Sequence, residues 1–364
     1  MVACLSPNGP TIYTGATPPR QLYVGASGGV SVLERATPTA PWRLTRRGLD
    51  GKHVSAMMCD PAGAWVAAGS HDGGFYFSTD AGASWEQRTK GLTIEHAFSL
   101  TSADEAGKPV FYLGTLPVAA FRSRDLGRSW EELASLRAVP GQDKWTFPGL
   151  PHTPHAKCIA IDPRSPDTIY VAVEQGGLFR SKDGGATWRE IDSYYRPDDR
   201  WYRDIHRLVM ADANPDELYM TSGTGLYHSR DAGASWDHLT DTEFRIGYPD
   251  HLVISPRDAS VLFMSGGQQD PTAWRRSHYA DATVLKSSDG GRSWDEAGRG
   301  LPESRRANVE AMCMARHGSG FTLFLGNTDG EVFTSEDEGA SWSLIASGVT
   351  PISKLGHFRL VEPA

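Results

Sequence analysis

The chain of 364 residues carries 36 lysines and arginines against 44 aspartates and glutamates, a net charge of -8. That balance excludes the basic face on which nucleic-acid binding normally rests, and no apolar run approaches the length of a membrane span. The start, MVACLSPNGPTIYTG, lacks a basic stretch leading into an apolar one, and Cys4, Cys59, Cys158 and Cys313 form no C-x-x-C pair, so a reduced, cytoplasmic protein is expected.

In chain order, QLYVGAS at 21–27, GVSVLER at 29–35 and WRLTRRGL at 42–49 alternate as three strands do. Further on, short alternating segments (GFYFS, AAFRS, GLFRS, GLYHS, TVLKS, EVFTS) each run into one octapeptide pattern, Ser-x-Asp-x-Gly-x-x-Trp. It reads STDAGASW at 78–85, SRDLGRSW at 123–130, SKDGGATW at 181–188, SRDAGASW at 229–236, SSDGGRSW at 287–294 and SEDEGASW at 335–342. An Asp in a tight turn accepts bonds from the backbone a few residues on, and Gly takes the positive φ that other residues resist. The Trp then opens the next strand with a large apolar surface. Each unit therefore reads strand, turn, strand, with β-rich runs such as WVAAG, VFYLG and TIYVAV upstream.

The octapeptides resemble the Asp-box (BNR) repeat of β-propellers, and the likeness spans nearly the whole chain. It implies that the box closes the turn between the third and fourth strands of each blade, on the face opposite the usual active site. Asp80, Asp125, Asp183, Asp231, Asp289 and Asp337 are then turn-formers rather than acid/base pairs. Six boxed units plus the unit at 21–49 give a single domain over 1–364, an all-β, seven-bladed propeller with four antiparallel strands per blade. The first unit lacks an innermost strand and HFRLV at 357–361 is spare, so the last strand is expected to complete the first blade and leave no open edge.

Aligned innermost strands read HVSAM, HAFSL, HAKCI, HRLVM, HLVIS, EAMCM and HFRLV. In a propeller these strands line the axial channel, which predicts a ring of His53, His96, His155, His206, His251 and His357 with Glu310. Imidazole with one carboxylate suits a transition metal, iron or copper first and zinc or manganese next. Carotenoid-cleaving oxygenases and nitrous oxide reductase resemble this plan at the level of architecture only.

Three insertions, 137–154, 192–205 and 266–283, emerge on the same face and are rich in aromatic residues and arginine. Trp145, Tyr195, Trp201, Tyr202, Arg245, Arg275, Arg276 and Arg306 are candidate substrate contacts, with Tyr248, Arg203 and His278 as candidate catalytic groups. Arginines around a cation point to a small, anionic organic substrate. The leading expectation is a metal-dependent oxidoreductase of oxygenase or oxidase type. Alternatives are a metal-dependent lyase or hydrolase on a carboxylate-bearing or sugar substrate, and a non-enzymatic binding or assembly module such as photosystem II assembly factors and sortilin-type receptors build on Asp-box propellers. A sialidase-like glycosidase would need six blades and a Tyr–Glu pair. Neither nucleic acid nor membrane is expected as a partner.

Overall fold

A computed structural model describes residues 1–197, 203–318 and 320–362. Among these residues the strands form seven sheets, each built around four strands in sequential order. The inner strands, Val2–Leu5, Val54–Cys59, Ala97–Glu105, Ala156–Ile161, Ile205–Ala211, Tyr248–Ile254 and Val309–His317, pack in sequence around one axis. The seventh also meets the first, which closes the ring. This is the seven-bladed propeller. Buried side chains fill the space between adjacent blades, so the core is a set of clusters rather than one centre.

All six octapeptides fold into one hydrogen-bonded turn. In the third copy Ser181 Oγ donates to Asp183 Oδ1 and accepts from Gly185 N–H, while Thr187 gives its N–H to Oδ1 and its hydroxyl to Oδ2. The same four bonds recur around Asp80, Asp125, Asp231, Asp289 and Asp337. The residue after each Asp and the Gly that follows both have positive φ, such as Ala81 at 58° and Gly82 at 78°. A Ser or Thr four residues after the Asp is thus as much part of the motif as the Asp itself.

The expected closure is not the one the chain uses. Residues His357–Leu360 form a 3-10 turn, and the inner strand of the first blade is Val2–Leu5, paired parallel to Gln21–Ala26. VACL is a short apolar run that buries all but its first residue, whereas the tail is held elsewhere by Lys354, as shown below. Parallel pairing needs a long return, and here the chain supplies it by crossing the channel. Asn8 bonds to the inner strands of the second and third blades through Ser55 O, Leu100 N and Phe98 O. Thr11 O accepts from Met314 N, and Ile12–Gly15 then pairs parallel to Val309–His317 as a fifth, axial strand of the seventh blade. The passage is tight: a Cβ on Gly9 would lie 2.2 Å from Met57 O. The axis is therefore plugged by the protein's own N-terminal segment.

Candidate binding face and channel mouth

Blades two to seven share a β-bulge at the start of the inner strand, where two residues oppose one on the neighbouring strand. The bulge fixes the true register. The residues just before the first paired position of each strand, or opening it in the sixth blade, are His53, His96, His155, Asp204, Tyr248 and Asn308. The bulged residues beneath them are Ser55, Phe98, Lys157, His206, Asp250 and Glu310. The expected seven-membered ring is thus three layers. His53, His96 and His155 stand in the upper collar, His206 and Glu310 in the lower one, and His251 a step deeper. His357 belongs to no strand and bonds Glu310 through Nδ1 at 3.1 Å.

Consequently the ring nitrogens do not converge. His53 Nε2 bonds Ser353 O, His155 Nε2 bonds Glu174 and His206 Nδ1 bonds Pro249 O, each at 2.7 Å. His53 stacks on His71 at 4.0 Å and His71 lies 4.3 Å from His96, a run of imidazoles closed by Phe98. Burial, reinforced by the neighbouring imidazoles, pushes His71 down to about 2 and His96 to about 4. Burial also lowers His53 and His155, and holds His251 well below the ordinary value. These groups stay neutral at neutral pH.

The charge at the mouth comes from residues the strand alignment does not single out. The C-terminal segment crosses it: Ser27 N bonds Pro351 O, and Ile352 N bonds Asn327 O. Lys354 is inserted there, its ammonium paired with Asp250 and its N–H donated to Glu310 Oε2, which also accepts from Ser353 Oγ. Burial alone would lower Lys354 and raise both carboxyls. Attraction wins: Lys354 and Asp250 hold each other high and low, and Glu310 is held low by His357 first and Lys354 next. On the other side Glu174 Oε2 accepts from both Lys157 and His155. Arg207 donates to Pro7 O and Gly9 O, anchoring the plug. Glu174, Asp204, Asp250 and Glu310 therefore face Lys157, Lys354 and Arg207, four buried carboxylates against three buried cations.

The rim residues divide into packers and open groups. Trp145 is buried against Phe179 with ring centroids 5.3 Å apart, so it holds its loop down. Arg245 pairs with Asp281 at 3.1 Å, and Arg306 with Asp329 and Val361 O. Arg203 pairs with Glu190 and lies over Tyr195. Tyr248 is buried between His206 and Trp274, where burial and nearby carboxylates hold its hydroxyl protonated. His278 ends the short helix Pro271–Ser277. Among the described residues Arg203, Tyr248 and His278 make no contact with one another, so a catalytic trio is not formed. Trp201 and Tyr202 lie outside the described residues. Two predicted residues do meet: Tyr248 and Arg276 line one cavity of about 320 Å³ with Thr242, Gln268, Gln269 and Asp270. Asp270 caps the helix by accepting from Thr272 N and Ala273 N, while Arg276 and Arg275 have no ion-pair partner among the described residues.

No protein-family model matches the chain. It is 27% identical over 217 residues to a xyloglucanase of Paenibacillus sp, covering 52% of this chain but 20% of that protein. It is 22% identical over 321 residues to the photosystem II assembly lipoprotein Ycf48 of Synechococcus sp. strain CC9902, covering 88% of this chain and 83% of that one. Among solved structures, a GH74 enzyme of Niastella koreensis superposes with TM-score 0.61 at 17% identity, over 93% of this chain and 54% of the other. YCF48 bound to D1 peptide gives 0.57 at 16%, over 90% and 94%. The chain thus spans about a fifth to a quarter of the xyloglucanases first matched. These likenesses overturn the expectation of a metalloenzyme oxidoreductase built on a histidine ring: the relatives are glycan hydrolases and an assembly factor, and the histidines occupy three registers.

Proposed function

We propose that this chain is a binding propeller that holds an extended polypeptide across its loop face, with the Arg276 cavity as the principal seat. End-to-end correspondence carries this reading. The match covers 83% of the Ycf48 protein and 88% of this chain, against 20% of the Paenibacillus xyloglucanase, which favours a single propeller of assembly-factor type. The repeated turn chemistry of the octapeptides supports reading it as an Asp-box propeller. The mouth supports binding over catalysis, because Glu174, Asp250 and Glu310 are buried and already paired with Lys157, Lys354 and the Asn308 amide. Arg275 and Arg276 favour a segment bearing a carboxylate, which an arginine fork recognises with two parallel bonds.

One observation favours glycan hydrolysis as a second reading: ligand oxygens of Glu174 and Asp204 lie within 4.8 Å of each other. Retaining glycosidases space their two carboxyl groups at about 5–5.5 Å. Panning a random-peptide display library against the chain, beside a reducing-sugar assay on xyloglucan oligosaccharides, separates the two. Peptides that enrich and bind the loop face support the first reading. Sugar release abolished by Asp204→Asn would establish the second.

A further inference from the structure

His206 sits in the lower collar with a fixed tautomer. Its Nδ1 faces Pro249 O at 2.7 Å, and a carbonyl only accepts, so Nδ1 carries the proton. In the neutral ring Nε2 is then an acceptor, and it lies 3.4 Å from a second acceptor, Asp204 Oδ2. Among the described residues Nε2 has no hydrogen-bond partner, and neither has Asp204 Oδ1, although His206 is 2% and Asp204 6% exposed. Glu174 brings a third ligand atom, all three lying within 4.8 Å of one another. Lys157 and His155 both bond its Oε2, which leaves Oε1 outside that pair of contacts. Buried acceptors without donors are costly, and here the surrounding charge is negative by one.

We propose that Glu174, Asp204 and His206 bind one divalent first-row metal ion, zinc or manganese by donor type. Two ligands about 2.1 Å from a tetrahedral ion lie roughly 3.4 Å apart, which is the Nε2–Oδ2 separation. A protonated imidazole bonded to a carboxylate would sit closer, at about 2.7–2.9 Å. Imidazole with two carboxylates suits these metals, and the Nδ1–H bond to a backbone carbonyl is the support that orients a ligating histidine. The site differs from a histidine ring, since two of its three ligands are acidic and its histidine is in the lower collar. It lies under the cavity, joined to it by Gly223 N bonding Asp204 O and by Tyr248 against His206, so the ion would stiffen the floor of the seat.

The test uses the full chain, tag removed and stripped with chelator. Titration with zinc chloride and with manganese chloride should show one ion per chain by calorimetry and a raised melting temperature. Asp204→Asn should lose that ion, weakening binding at least a hundredfold. Without metal the same variant should melt at or above the wild type, because its amide can donate to His206 Nε2. His96→Gln, in the upper collar, should bind metal as the wild type does. No stoichiometric ion in the wild type, or binding unaltered in Asp204→Asn, overturns the proposal. A lower metal-free melting temperature for Asp204→Asn, with nitrogen NMR showing Nε2 of His206 protonated at neutral pH, would assign the gap to a proton and equally overturn it.

Discussion

The two faces of the ring are built by opposite means. On the box face one eight-residue turn recurs six times, and each copy satisfies its Asp with atoms no more than four residues away. At the channel mouth no two blades contribute the same side chain at both levels, and the bonds join residues far apart in sequence, such as Lys354 to Asp250 and Arg207 to Pro7. Repetition holds the scaffold, and variation at fixed register makes the site. Damage should therefore stay local on one face and spread on the other.

The largest effect should come from the terminus that crosses the axis. Deleting residues 1–15 removes the inner strand of the first blade and the plug, so cooperative urea unfolding should be lost. Deleting residues 350–362 should leave a cooperative but weaker fold, because the ring closes without them. If the two truncations behave alike, the N-terminal closure is wrong.

Next in size is Lys354→Met. It leaves Asp250 and Glu310 buried without their cation, which typically costs about 3–5 kcal/mol. Adding Asp250→Asn should recover part of that loss in the same urea titration. On the other face, Asp125→Ala should cost only about 1–2 kcal/mol, the scale for losing a side-chain cap. A loss as large as that of Lys354→Met would show that the turns are not self-contained.

Acid should separate the faces by the pH at which each begins to lose stability. His71 and His96 are depressed to about 2 and about 4, so their neutral forms are favoured in the fold. Stability from these groups is complete above the unfolded value of about 6.5 and declines as pH falls from there toward their folded values. The box aspartates are also depressed, with Asp80, Asp183 and Asp289 at about 2. Their contribution is complete above about 3.9 and is lost only as pH falls through about 2. Melting temperature should accordingly begin to fall below about pH 6.5 in the wild type. His71→Phe should reduce the early loss, and Asp125→Ala should not.

What the sequence shows follows the same division. The box motif is local, so its six turns, the strands around them and the seven-blade count are legible by inspection. The closing strand is not, because VACL is too short to announce itself and its parallel pairing depends on a crossing that only the folded channel defines. The collar is half legible. His53, His96 and His155 share a register, but a one-residue bulge shifts which residue faces the axis, and alignment by histidine places His206, His251 and Glu310 two to three residues out of step. Asp204, Asp250, Glu174 and Lys354 carry no motif. Only their meeting at the mouth reveals them.

The division of labour is tested most directly by comparing Arg276→Ala with Asp183→Ala in calorimetric titration against a peptide selected on the wild-type chain. A working loop face predicts that Arg276→Ala weakens binding about tenfold or more, the range for removing an arginine anchor. Asp183→Ala should bind as the wild type does. Affinity lost in Asp183→Ala and kept in Arg276→Ala would contradict the account.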